Sequence, residues 1–320
     1  MRAVIATSYG SPFTVADIPT PVPGPGQLQV RIAAAALNPA DLRIAAGDLR
    51  AVAELTFPHT LGTDFAGTVT AVAPDVTAYT PGDEIFGHAM PRALRPIAGR
   101  HRPSLGSGTL AEFAVVEADT PFITHRPPGL DPADAAALGT AGLVARALLI
   151  RAAIQPGETV LVIGATGGIG TALIPLLADT KARVIATTTP PDADILRGLG
   201  ASRLIPYGAE HYPGGTDVVL NLVLPGDRLD GAAAALRPGG RLYSVTFPAP
   251  RPDLIGRDDV TAELVLDSEG ALGGMREVAE LAGTGLLRPT VGGRYELDEG
   301  PRAYADLATR HTLGKQIVIP

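Results

Sequence analysis

The run Val160-Leu161-Val162-Ile163, then Gly164-Ala165-Thr166-Gly167-Gly168-Ile169-Gly170, then an apolar helical stretch to Ala178, can seat a dinucleotide pyrophosphate. The apolar tetrad reads as a buried parallel strand, the glycines as a tight turn, and the free N–H groups of the helix start face the phosphates. Ala165 takes the place of the usual first glycine, Gly167 admits close backbone approach to the pyrophosphate, and Gly170 lets helix and strand pack closely. A ligand-free βα turn has the same local pattern, so the motif takes its weight from its surroundings.

Other chemistries are bounded by what is missing. The chain has no cysteine, hence no disulfide, no thiolate nucleophile and no cysteine-ligated zinc. Its six histidines, His59, His88, His101, His125, His211 and His311, show no short ligand-like spacing, whereas a catalytic zinc needs at least three protein ligands. No metal site is expected. A net charge of -7 argues against nucleic acid or an anionic membrane as partner. One local exception is the segment from His88 to Ser107, which gathers Arg92, Arg95, Arg100, His101 and Arg102. It reads either as a solvated loop or as a dock for an anion, such as a substrate carboxylate or an acyl-carrier partner.

The elements that must position these residues divide by pattern. At 320 residues the chain has room for two domains, and with 4% aromatics its core must be built from Ala, Val, Leu and Ile. Short β-like runs broken by Pro and Gly fill the first third: Arg2 to Thr7, Gln27 to Ala36, Gly67 to Val72, Glu84 to Phe86 and Ala111 to Val116. A helix is expected over Ala133 to Ala153, then strands at Thr159 to Ile163, Arg183 to Thr187, Arg203 to Ile205, Asp217 to Leu222, Arg241 to Thr246 and Glu263 to Asp267, with helices between. Such alternation predicts a doubly wound parallel sheet. Pro175 should cost the first of these helices a hydrogen bond and bend it. The stretch Thr290 to Pro320 returns to the β-like pattern and is expected to rejoin the first domain. The N-terminus lacks a signal-peptide core and no apolar run reaches membrane-spanning length, so a cytoplasmic protein is expected.

In sequence order, Asn38-Pro39-Ala40-Asp41, Leu61 to Val69 (LGTDFAGTV), Pro81-Gly82-Asp83, Gly108 to Phe113, Leu236 to Arg241 and Gly314-Lys315 resemble landmarks of the medium-chain dehydrogenase/reductase superfamily, in its zinc-free quinone oxidoreductase branch. The resemblance covers nearly the whole chain. It implies an α/β protein with a GroES-like, β-rich catalytic domain (1–124 and 270–320) around a Rossmann domain (125–269), and hydride transfer from NAD(P)H. In zinc-dependent members a cysteine stands where Asn38 does, and a His-Glu pair where Thr63-Asp64 do. Without a Lewis acid the acceptor must be polarised by hydrogen bonds or be electron-poor already, as enones and quinones are.

The resemblance also implies site residues. Asn38 would face the nicotinamide ribose and reacting centre, the alternative being a turn cap before Pro39. Asp41 and Arg43 would support it, or simply pair with each other at the surface. Gly164, Ala165, Thr166, Gly167, Gly168, Ile169, Thr187, Thr188, Tyr207, Phe247 and Lys315 would hold the cofactor, with Tyr207 beside the adenosine ribose. NADPH is expected over NADH because Ala186-Thr187-Thr188-Thr189 carries no ribose-binding acid. The basic residue that a 2′-phosphate wants is missing there, leaving Arg197 or Lys315 to supply charge. Two departures bear on substrate: Leu49 replaces a hydrogen-bonding tyrosine, and Val144 replaces a threonine near the nicotinamide. The readings that follow are an NADPH-dependent, zinc-independent reductase of α,β-unsaturated carbonyls or quinones, an enoyl reductase on a carrier- or CoA-bound thioester, or a non-catalytic NADPH-binding sensor or scaffold. A homodimer is expected through the last Rossmann strand.

Overall fold

The computed structural model describes residues 1–51, 54–91, 104–105, 108–208, 211–267 and 270–320. Arg92, Arg95, Arg100, His101 and Arg102 lie outside the described residues. The chain forms two compact units, one of Met1–Thr140, Ser268–Gly285 and Pro289–Pro320, the other of Ala141–Asp267 with Leu286–Arg288.

The first unit is built on the strand Gln27–Ala36, whose Leu28, Val30, Ile32, Ala34 and Ala36 are buried while Arg31 and Ala33 face out. It pairs antiparallel with Asp64–Val72 on one side. On the other it pairs first with Phe113–Glu117 and then, at Ala35 and Ala36, with Lys315–Ile319. The expected return of the chain's last stretch to this unit is therefore a strand pairing. Glu84–His88 and Ile123–His125 extend the sheet on the Asp64 side and Val291–Glu296 on the other. The register matters for function, because Asp64 stands opposite both Ala36 and His88, and Ile317 opposite Ala36. Four strands thus deliver polar residues to one end of the sheet. The strand expected from Gly67 starts at Asp64 because both neighbours continue to pair with it there.

The second unit is a parallel sheet in the order Arg203–Pro206, Arg183–Thr188, Thr159–Ile163, Thr216–Asn221, Leu236–Ser244, Thr261–Leu264. The order reverses between Thr159–Ile163 and Thr216–Asn221, which is where doubly wound sheets bind ligands. The helix Gly168–Asp179 buries Leu173, Ile174, Leu176 and Leu177 and runs unbroken through Pro175. A Cβ on Gly170 would lie 2.4 Å from the Ala165 carbonyl oxygen, so only glycine permits this approach of helix to turn. The last strand ends at Leu264, earlier than Asp267, since the final bond to its neighbour is Val265 N–H to Ser244 O. The single helix expected over Ala133 to Ala153 is two, Pro132–Ala137 and Gly139–Ala152. The break follows from Asp64, whose carboxylate takes the Thr140 N–H that a continuous helix would have used.

His59, paired across from Ala6 in a small three-stranded sheet, is half-buried, and burial lowers its imidazole to about 4. The unfolded chain then binds a proton that the fold refuses between the ordinary value of 6.5 and about 4, so stability is lost as pH falls through that window. His59→Gln should remove a loss on the order of 2 kcal/mol between pH 7 and pH 4.5. Guanidinium midpoints at the two pH values measure it; an acid sensitivity equal to that of the unmodified protein would show that His59 is not its source.

Candidate functional site

In the first unit the converging residues form a buried polar cluster. Asp64 has no exposed side-chain surface, yet its carboxylate accepts from Asn38 Nδ2 at 2.9 Å, His88 Nδ1 at 2.8 Å, Thr140 N at 3.0 Å and Thr140 Oγ1 at 2.8 Å. Lys315 Nζ lies 3.3 Å from Asp64 Oδ2 and also donates to Leu37 O at 2.8 Å and Asn38 Oδ1 at 2.6 Å. Burial alone would push Asp64 up; the Lys315 ammonium and the His88 contact outweigh it and hold the carboxyl well below the usual range. Gly139 makes room for this, since a Cβ there would lie 2.7 Å from the Asp64 carboxylate.

Asp41 joins the same cluster. Its carboxylate accepts from Asn38 N at 2.9 Å, Tyr304 Oη at 3.0 Å and Thr63 Oγ1 at 3.2 Å. Burial pushes Asp41 up to about 6 against the pull of the Asn38 N–H, and pushes the Tyr304 phenol well above its ordinary value. Asp41 thereby anchors the start of the helix Pro39–Ala46, while the Asn38 side chain turns into the cluster. Arg43 does not belong here. It pairs with Asp48 at 2.9 Å on the surface, and the expected Asp41–Arg43 pair is absent because residues two apart on a helix face different ways.

In the second unit the turn after Ile163 is braced from the neighbouring strand, where the buried Thr187 hydroxyl accepts the Gly164 N–H at 2.9 Å. Ala165 and Thr166 are buried beneath the turn. The first helical bond runs from Thr171 N–H to Gly167 O, leaving the N–H groups of Gly168, Ile169 and Gly170 ahead of the ladder as available donors. At Gly167 a Cβ would meet only Gly164 O, at 3.6 Å, so the surface over the turn is open. Large apolar side chains exposed around this carboxyl edge of the sheet include Tyr207 (54%), Val223 (42%) and Phe247 (52%). These features fit a dinucleotide, with N–H donors for phosphate and apolar surface for rings.

The expected sources of charge for a 2′-phosphate are engaged elsewhere. Arg197 pairs with Asp194 at 2.8 Å, and Lys315 is held in the Asp64 cluster of the other unit. Thr188 donates to Thr189 O at 2.9 Å and Thr189 to the buried Asp192 carboxylate, so the threonine hydroxyls close a local turn. Leu49 and Val144 are half-buried. Among the described residues no group of three or more His, Asp or Glu is arranged to hold a metal ion.

Several residues in these arrangements carry no local sequence signal. His88, Thr140 and Tyr304 reach the cluster from separate elements. Asn221 organises the loop bearing Val223: its Oδ1 accepts from Val223 N and Leu224 N, and its Nδ2 donates to Leu224 O and Ser244 Oγ. An Asn closing the apolar run Val218-Val219-Leu220 was the only hint in the sequence.

Residues 24–126 match the alcohol dehydrogenase GroES-like domain and residues 199–318 the zinc-binding dehydrogenase domain. The Spectinabilin polyketide synthase system protein NorB of Streptomyces orinoci is 33% identical over 91% of this chain, which spans 13% of NorB's length. The chloroplastic NADPH-dependent alkenal/one oxidoreductase of Arabidopsis thaliana is 27% identical over the whole chain and 80% of its own length. A quinone oxidoreductase structure from Coxiella burnetii superposes with a TM-score of 0.83 at 25% identity, covering 100% of this chain and 99% of that one. A glycine-turn parallel sheet, a GroES-like sheet rejoined by the strand Lys315–Ile319, and relatives of this kind across the full length lead to one assignment: the chain belongs to the medium-chain dehydrogenase/reductase superfamily, beside its quinone oxidoreductases.

Proposed function

We propose that the chain is an NADPH-dependent, zinc-independent reductase that delivers hydride to the β-carbon of an α,β-unsaturated carbonyl, or to a quinone. The observation that carries the reading is the open turn at Gly167 with helix-start N–H donors and the exposed Tyr207, Val223 and Phe247 around it. The resemblance to an alkenal/one oxidoreductase and a quinone oxidoreductase supports the acceptor class. A reduced nicotinamide supplies the two electrons and one hydrogen as hydride. The N–H groups of Gly168, Ile169 and Gly170 would bind the pyrophosphate, and Tyr207 and Phe247 would shield the rings from water. At the acceptor, hydride supplied to the β-carbon would form the new C–H bond there, the π electrons passing to the carbonyl oxygen. A proton then closes the reaction at the α-carbon. Leu49 and Val144 have no proton to give, and water is the proposed source.

A second reading, enoyl reduction of a carrier- or CoA-bound thioester, is favoured by the resemblance to NorB of a polyketide synthase system. The chemistry is the same, and the two differ in how the acyl group is presented. Following nicotinamide absorbance with NADPH against enones, quinones and enoyl thioesters separates them, and binding without turnover of any would point to a sensor or scaffold.

NADPH should bind more tightly than NADH, but by a small margin because Arg197 and Lys315 are otherwise paired. Calorimetric titration giving NADH a tenfold advantage, about 1.4 kcal/mol, would reverse the preference. Gly167→Asp should abolish binding of either nucleotide by placing a carboxylate in the open space over the turn; unchanged affinity would show the phosphates to lie elsewhere.

Chelators should leave turnover intact. Stoichiometric zinc in the purified protein, with activity lost on chelation and restored by zinc, would overturn zinc independence. A homodimer is proposed through Thr261–Leu264, an edge strand with Leu266 exposed beside it. Light scattering should then give twice the 32.8 kDa chain mass, and a monomer at micromolar concentration would refute it.

A further inference from the structure

The Lys315 ammonium has three hydrogens and three oxygens to receive them, from Leu37, Asn38 and Asp64, and its side chain is 8% exposed. An ammonium can only donate and an ionised carboxylate can only accept. The Asn38 amide lies between the two, with Oδ1 towards Lys315 and Nδ2 towards Asp64. Turning it over would set N–H against ammonium and C=O against carboxylate in a buried place, where mismatched polar contacts are costly. The second Nδ2 hydrogen goes to Thr63 Oγ1 at 3.2 Å, and Thr63 passes its own to Asp41. The chain of donors therefore runs one way, from ammonium through amide and hydroxyl to carboxylate. Both amide hydrogens of Asn38 are spent inside it.

We propose that Lys315 is a positioning residue: its ammonium, seated in an oxygen cage, fixes the orientation of the Asn38 amide, and a small monovalent ammonium ion fits the same cage when the lysine side chain is removed. Only the activity arm of the test rests on the reductase reading. Lys315→Ala should melt about 10 °C lower, as expected when a buried carboxylate loses its partner. Its kcat/KM for NADPH-dependent enone reduction should fall about tenfold or more. Ammonium or methylammonium chloride should restore both in a saturable way, while tetramethylammonium chloride at equal ionic strength, too large and without N–H donors, should not. Lys315→Met, which fills the space without charge, should lose function and resist rescue.

Nitrogen-resolved NMR reads orientation without turnover. In the unmodified protein the Asn38 side-chain amide should give two resolved, slowly exchanging hydrogens and Lys315 a protected ammonium signal; in Lys315→Met the Asn38 pair should move and exchange faster. Equal responses to the two salts, a Lys315→Ala chain that stays unfolded in ammonium, a freely exchanging Lys315 ammonium, or Asn38 signals unchanged in Lys315→Met would each overturn the proposal. An ammonium-responsive protein that reduces no acceptor would defeat the reductase reading and leave this one standing.

Discussion

A fully buried carboxylate is among the costliest groups a fold can hold, and Asp64 is tolerable only because Lys315 and three other side chains converge on it. Much of the β-rich unit follows from satisfying that one charge. The strand Lys315–Ile319 must lie beside Ala35 and Ala36 to bring the ammonium in. The helix after Ala137 must stop and restart at Gly139 so that the Thr140 N–H can reach it. Such pairs add little net stability compared with an apolar replacement, but breaking one is expensive, so the pair acts more as a constraint on geometry than as a source of strength.

The nucleotide unit depends on a different economy. Its sheet is centred on fully buried aliphatic runs, Val160 to Ile163 and Val218 to Leu220 among them, with polar groups at their ends. Thr187 and Asn221 stand at those ends and are consumed in shaping loops, Thr187 for the glycine turn and Asn221 for the loop of Val223. The surface left for a ligand is then backbone N–H and exposed apolar side chain. This suits a cofactor recognised by its phosphates and rings.

The parallel sheet was legible in the sequence because inner strands such as Thr159–Ile163 and Thr216–Asn221 carry unbroken apolar runs between helix-length segments, and the glycine turn because its requirements are local. The polar cluster was not. Asn38, Asp64 and Lys315 were visible only through family landmarks, with Lys315 read as a charge for the cofactor, and nothing near His88 or Tyr304 betrays that they share a site. Strand register puts Asp64 opposite His88, and periodicity does not reveal register between strands far apart in the chain. Arg43 shows the reverse error, since proximity in sequence to Asp41 suggested a partnership that helix geometry forbids.

The separation between Asp64 and Lys315 has a consequence for biosynthesis. They are 251 residues apart, and the whole nucleotide unit is made between them. At ordinary translation rates Asp64 waits on the order of tens of seconds for its counter-ion. During that interval the β-rich unit holds an uncompensated carboxylate at the end of its sheet and lacks the strand that covers Ala35 and Ala36, while the glycine-turn unit already has every strand it needs. The nascent chain should therefore mature from its middle outward, with the earliest-made segment among the last to settle.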